Sequence, residues 1–350
     1  MRRYQKVVIS ILSIMVVAVA GITIYAMQVL GDANSMMDNI SQAVNRTTQK
    51  RDVAMSIEER DPFSILLLGI DTGALGRTEQ GRSDSMMVVT INPEKKQSTI
   101  VSLDRDIYAD MLDGVTFDKL NHAYAYGGAE LAMDAVEKLL DIPIDHYVSI
   151  NMQGMSDLID AVGGIEVDNK IEFTLENVHV PFGKITLDGK TGLAYARMRK
   201  DDPAGDIGRQ ARQREVLEKI IAKVLSLNGV SNYQKILKAV EKNSKTDLTW
   251  NEMLDIATNY YPAFENIEQE QLEGRDEQMN GIYYQILGMQ ELLTVQNSLK
   301  EQLELPTNEE LTIDPQFEYS YNGFIGNQFY DDRVSETEET TQDVESTTSW

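Results

Sequence analysis

Cysteine is absent from all 350 residues. That excludes disulfides, thiolate metal sites and a cysteine nucleophile, and is compatible with an oxidising compartment without requiring one. Positive charge is scarce: 32 Lys and Arg stand against 56 Asp and Glu, for a net charge of −24. A nucleic-acid-binding surface needs a basic patch to neutralise phosphates, so no nucleic-acid partner is expected. Any phosphate chemistry must rest on a few local cations in an acidic background. Of the three histidines, His122 and His146 lie in apolar or aromatic stretches and read as structural, and His179 reads as exposed. There is no internal repeat.

What is present begins with a long apolar run. Arg2, Arg3 and Lys6 precede an uncharged stretch from Val7 to Gly31, longer than the roughly 20 residues that span a bilayer. Basic residues before the run predict residues 1–6 in the cytoplasm, 7–31 as a transmembrane helix and the remainder outside. Ala18-Val19-Ala20 resembles a signal-peptidase site, but the apolar run continues to Leu30, which favours an uncleaved anchor. Residues 32–61 are polar and read as an extracytoplasmic stalk. Residues 306–350 hold eleven acidic residues against the single Arg333 and read as a disordered tail.

Between these lies a globular α/β pattern. The runs 64–70, 86–91 and 98–103 read as buried strands, each closed by a polar turn. Helical periodicity covers 129–140, 152–162, 206–227, 250–260 and 290–303, and shorter strands fit 147–150, 165–167 and 282–287. The expected fold is a central mixed sheet flanked by helices, with a main domain over 62–262 and an extension over 263–305 packing on it.

Antiparallel pairing of the first two strands, followed by a hairpin through Asn92–Lys96, would gather Asp71, Arg82, Asp84 and Arg105 at one sheet end. A crossover connection would undo this. In the 206–227 helix, Arg209 and Gln213 fall within about 60° of the face that carries Val216, Ile220 and Val224. A cation on a core-facing stripe needs a partner, and a helix start offers free N–H groups to an anion. Arginine forks match phosphate oxygens, and paired carboxylates with phosphate oxygens suit Mg²⁺. Plainer readings stand beside these. Asp71 before Thr72-Gly73 equally fits a turn, and Asp84 a local cap. Arg105 could pair with Asp104 or Asp106, and Arg197 and Arg199 with Asp201 and Asp202. Arg212 and Arg214 read as a solvated flank.

The motifs Leu68-Gly69-Ile70-Asp71-Thr72-Gly73, Gly81-Arg82-Ser83-Asp84-Ser85-Met86, Ser102-Leu103-Asp104-Arg105-Asp106, Lys119-Leu120-Asn121-His122-Ala123-Tyr124, Ala194-Tyr195-Ala196-Arg197-Met198-Arg199 and Gly208-Arg209-Gln210-Ala211-Arg212-Gln213-Arg214 occur in this order. The series resembles the LytR–CpsA–Psr family over about residues 62–225, more loosely to about 303. The resemblance implies an apolar polyprenyl pocket beside a pyrophosphate site. It also implies transfer of an anionic glycopolymer, such as wall teichoic acid or capsular polysaccharide, from a polyprenyl pyrophosphate carrier to the 6-hydroxyl of N-acetylmuramic acid in peptidoglycan. Carried over by motif, Asp71 and Asp84 would hold Mg²⁺, with Mn²⁺ as the alternative ion. Arg82, Arg105, Arg197, Arg199, Arg209 and Gln213 would bind the pyrophosphate, with Arg105 and Asp71 catalytic. Two other functions are weighed: a membrane-bound transcriptional regulator, opposed by the acidic charge and predicted topology, and a protein that binds or hydrolyses polyprenyl pyrophosphate without transfer.

Overall fold

The computed structural model describes residues 39–46, 50–51, 55–71, 81–112, 116–226 and 230–311. The predicted anchor over 7–31 and nearly all of the acidic tail lie outside them. Among the described residues no helix is long and apolar enough to cross a membrane.

The first half of the domain contains β1 (Phe63–Ile70), β2 (Ser83–Asn92), β3 (Gln97–Leu103), a small hairpin of β4 (Tyr108–Asp110) and β5 (Phe117–Lys119), α1 (His122–Leu140) and β6 (His146–Asn151). Next come α2 (Met152–Ala161), β7 (Ile165–Asn169), β8 (Phe173–Leu175), β9 (Val178–Val180), β10 (Gly183–Leu187), α3 (Gly189–Arg197), α4 (Gly205–Ser226) and α5 (Val230–Val240). The chain then adds β11 (Ser244–Thr246), α6 (Trp250–Asn259), a 3-10 turn (Tyr261–Phe264), β12 (Asn266–Leu272), β13 (Arg275–Met279), β14 (Ile282–Ile286) and α7 (Met289–Gln302).

The central sheet has six strands in the order β11-β6-β1-β2-β3-β12. It is mixed: β1 and β2 are antiparallel with Leu68 opposite Met86, β2 and β3 form the hairpin, and β6 and β12 run parallel to β1 and β3. The predicted strand pairing is thus the observed one. Both faces are covered, which is why β1 reads as a continuous apolar run rather than an alternating one. Leu66, Leu68, Met86, Val88, Val101 and Leu103 pack toward α1 and α7. Phe63, Ile65, Met87, Val89 and Ile100 pack on the other face with Leu248, Tyr260 and Ala263. A separate core of Ile159, Ile165, Phe173, Tyr195, Val216 and Ile220 joins α2, α3 and α4 to the small strands.

Three features were not legible in the sequence. β12, Asn266-Ile267-Glu268-Gln269-Glu270-Gln271-Leu272, has almost no apolar content, yet it pairs along its whole length with β3 as an edge strand. Next, α1 starts about two turns earlier than its apolar pattern: non-helical backbone at Gly127 and Gly128 separates the segment bearing His122 from the core-packed 129–140 segment. Third, parts of the polar stretch before the domain are docked. Ile40 is buried with Leu237, Val240 and Trp250, and Arg46 pairs with Asp134 and Glu137 of α1 at 2.5 and 2.9 Å.

Candidate functional site

The C-terminal end of β1 and the start of β2 lie side by side, so the residues after one and within the other converge. The Asp71 N–H donates to the Arg82 carbonyl at 3.1 Å, and the Arg82 N–H returns a bond to Asp71 Oδ1 at 2.8 Å. Asp71 thus ties the end of β1 to the start of β2 and also lines a cavity, while Thr72 and Gly73, on which its turn reading rested, lie outside the described residues. Gly69 permits this close approach, because a Cβ there would stand 2.9 Å from Ser85 Cβ on the neighbouring strand. The β2–β3 hairpin returns Arg105 to the same edge. Its Nη1 donates to Asp84 Oδ1 at 3.1 Å, and its Nε lies 3.5 Å from Asp106 Oδ2. Burial would lower the Arg105 pKa, but Asp84, Asp106 and Asp206 outweigh it and hold the guanidinium above its ordinary value.

The second half of the site comes from the α3–α4 corner. An Asp188 capping box starts α3, and the chain turns extended at Met198. Arg197 thus closes the helix and Arg199 begins the corner. Arg212 holds the corner in place: Nε donates to the Tyr195 carbonyl at 3.1 Å, and its other nitrogens reach the Met198 carbonyl and Asp202. Asp202 approaches α4 closely enough that a Cβ on Gly208 would meet it at 1.9 Å. Arg212 and Arg214 are therefore not a solvated flank. Both are buried, Arg212 because it satisfies the last carbonyls of α3. Arg214 ties α4 to β3 and β12 through Ser102 at 2.8 Å and Gln271 at 3.3 Å. Among the described residues no carboxylate pairs with it, and burial lowers the Arg214 pKa.

Asp206, in the first turn of α4, lies 3.2 Å from Arg199 Nε and 2.9 Å from Arg209 Nη2. It gathers these two arginines, which the residue spacing had not assigned to it. Arg197 pairs with Glu176 through two 2.9 Å bonds rather than with Asp201 or Asp202. Arg209 is buried, and among the described residues its Nε has no hydrogen-bond partner. Burial lowers its pKa, and the nearby charges of Arg105 and Arg199 add to this against Asp206 and Asp84. A buried donor among like charges is a site for an anion. Gln213 accepts from Ser85 Oγ at 3.0 Å.

A cavity of about 390 Å³ joins these parts. Asp71, Asp84, Arg197, Arg209 and Gln213 all line it, so carboxylates from β1 and β2 share one space with cations from α3 and α4. Its other walls are apolar, with Leu67, Met87, Val148, Met155, Leu193 and Leu217 among them. Arg105 enters through its bond to Asp84, Arg199 through Asp206, and Arg82 through its backbone bond with Asp71, while the Arg82 side chain ends beside His122 at 3.4 Å. His122, read from the sequence as structural, is partly exposed at this rim.

Fold and site together define an α/β domain in which arginines and aspartates from separate elements meet at the polar end of an apolar cavity. The chain belongs to the LytR–CpsA–Psr family, whose model matches residues 24–301. A polyisoprenyl-teichoic acid–peptidoglycan teichoic acid transferase, TagU, of Enterococcus faecalis is 49% identical over 302 residues, covering 86% of this chain and 98% of that one. The Bacillus subtilis TagU is 38% identical over 303 residues, covering 87% and 98%. Among solved structures, B. subtilis TagV superposes with a TM-score of 0.64 at 33% identity, over 71% of this chain and 99% of that one. TagT bound to LIIa-WTA superposes with a TM-score of 0.63 at 32% identity, over 75% and 100%. An E. faecalis protein described as a transcriptional regulator reaches 0.68 at 53% identity, over 78% and 98%.

Proposed function

We propose that this protein transfers a teichoic-acid-type glycopolymer from a polyprenyl diphosphate carrier to a peptidoglycan hydroxyl. One observation carries this reading: an apolar cavity ends in Asp71, Asp84, Arg197, Arg209 and Gln213. An amphiphile with a diphosphate head and an isoprenoid tail matches both halves. The names of the TagU relatives support the same substrate classes.

Asp71 and Asp84 suit a hard cation. Among the described residues no group of three or more His, Asp and Glu side chains is placed to hold a metal ion by itself. The donor set therefore fits an ion that takes its remaining ligands from phosphate oxygens and water, as Mg²⁺ does, with Mn²⁺ next. Such an ion would neutralise charge on the diphosphate. Arg105, Arg197, Arg199 and Arg209 would clamp the phosphoryl oxygens, Gln213 would orient one of them, and Arg82 would close on the head group from the rim. Phosphoryl transfer asks mainly for position and charge neutralisation. The acceptor O6 would form a bond to the polymer-side phosphorus while the bond from that phosphorus to the bridging oxygen breaks, releasing polyprenyl phosphate.

The apolar run over 7–31 would anchor the domain at the outer membrane surface. Ile40 supports this placement, because its cluster includes Ile150 and Leu158, which also line the cavity. The test is transfer of a radiolabelled lipid-linked teichoic acid to purified peptidoglycan by the full chain. Polymer covalently bound to the wall is expected. Free polymer phosphate as the sole product would replace transfer by hydrolysis.

A further inference from the structure

Beyond the diphosphate clamp, Asp118 and His122 form a pair to which the reaction above assigns no role. Asp118 lies in the middle of β5 and His122 opens α1, so the tight turn between the two elements sets the carboxylate against the ring: His122 Nδ1 lies 2.7 Å from Asp118 Oδ2. The other nitrogen, Nε2, lies 3.4 Å from Arg82 Nη1. A guanidinium only donates, so Nε2 is the acceptor in that contact and Nδ1 carries the proton shared with Asp118. The carboxylate is itself held. It accepts from the Lys119 N–H at 2.8 Å, from the Tyr126 hydroxyl, and from the Tyr284 hydroxyl at 3.5 Å. Burial would push the Asp118 carboxyl up, but the bonds from His122 and Tyr126 keep it below the ordinary carboxylate range.

The pair stands at the rim of the clamp. His122 follows Asn121, whose Nδ2 lies 3.5 Å from Asp84 Oδ1. The His122 side chain is 21% exposed, so a ligand from solvent can reach its outer edge. Tyr126, one turn on, is 59% exposed and meets His122 edge to face at 5.8 Å, presenting an aromatic surface of the kind on which a sugar ring stacks. When Arg82 turns to a bound diphosphate, the Nε2 lone pair is left facing the same head group.

We infer that His122, oriented by Asp118, is the acceptor-side general base, and that Tyr126 forms part of the surface receiving the peptidoglycan sugar. This rests on the transferase reading. In the step, the sugar 6-hydroxyl gives its proton to His122 Nε2 as its oxygen bonds to the polymer-side phosphorus. The electron pair of the breaking P–O bond leaves with polyprenyl phosphate, and the imidazolium returns the proton to that phosphate or to water. Among the described residues the groups facing the imidazole are Asp118 from β5, Arg82 ahead of β2 and Tyr126 from α1, with Tyr284 of β14 and Tyr108 of β4 behind Asp118.

The test uses the full chain in lipid nanodiscs, lipid-linked teichoic acid as donor and peptidoglycan as acceptor. His122→Gln keeps an acceptor for Arg82 but cannot take a proton. Its donor affinity should stay within about twofold of the wild type. Its single-turnover transfer rate should fall about 10²-fold, the low end for general bases, because a loose phosphoryl transition state asks little of the nucleophile's proton. The acid limb of the wild-type pH–rate profile should vanish, and Asp118→Asn should fall in the same direction. A wild-type rate and profile in His122→Gln, or a rate loss accounted for by weaker donor binding, would overturn the base assignment alone. No wall-linked polymer with the wild-type chain would overturn the transferase reading, and this inference with it.

Discussion

Arg105 and Asp84 are 21 residues apart in the chain and meet at 3.1 Å across the end of the β2–β3 hairpin. Strand register decides this contact, since Met86 pairs with Leu103 and the two residues beyond each partner must then share an edge. The same contact keeps a guanidinium charged beside a cavity that holds a second carboxylate and two further arginines.

Arg105→Ala should leave the fold intact and slow transfer by on the order of 10²–10³-fold, as loss of one preorganised donor to a developing charge does. Circular dichroism and a single-turnover transfer assay check the two halves. Transfer at the wild-type rate would remove Arg105 from the chemistry.

Transfer should stop on chelation with EDTA and return with Mg²⁺ or Mn²⁺. Asp84→Asn should raise the Mg²⁺ concentration for half-maximal rate, because a neutral amide is a weaker ligand for a hard cation. An unchanged metal titration in Asp84→Asn would separate this carboxylate from the ion.

The apolar walls make a separate prediction. Leu217→Trp should fill part of the cavity and weaken binding of a long-chain polyprenyl diphosphate by about tenfold or more, roughly the effect of losing the burial of one or two side-chain methylenes. A donor with a single short isoprenoid should lose less. Equal losses for both would place the tail elsewhere.

Arg212→Ala should cost about 3 kcal/mol in denaturant unfolding, because it strands Asp202 and the carbonyls of Tyr195 and Met198. Donor affinity should fall as well, since Arg197 and Arg199 sit on the corner that Arg212 holds. Arg212→Lys should rescue only in part, as one ammonium cannot span three acceptors.

His146 carries a pH dependence of its own. Burial alone would lower its pKa, but the bond to Asp247 and the charges of Asp145 and Glu252 raise it above the ordinary 6.5. A raised folded-state pKa stabilises fully below the unfolded value near 6.5, and that contribution is lost as pH rises through the folded value. Urea midpoints of the wild type should therefore fall across this window, and His146→Gln should flatten the slope.

Much of the fold was legible because burial on both faces writes itself as runs of apolar residues in β1, β2 and β3. The hairpin between β2 and β3 followed from a connection too short for anything else. β12 was missed because an edge strand can satisfy its backbone with one neighbour while its side chains stay polar. The fate of Arg212 and Arg214 was missed for a related reason. Helical periodicity places a residue on a face but does not say which loop or strand covers that face.

The sequence by itself determined the apolar strands, the amphipathic α4 and the set of aspartates and arginines available to grip an anion, because local pattern and residue chemistry need no partner. Tertiary structure alone decided that Asp206 gathers Arg199 and Arg209, that Glu176 takes Arg197, and that His122 faces Arg82 with Asp118 behind it. Each of these depends on where distant segments cross. Crossing points arise from sheet register and from the packing of a corner, which no single stretch of chain contains.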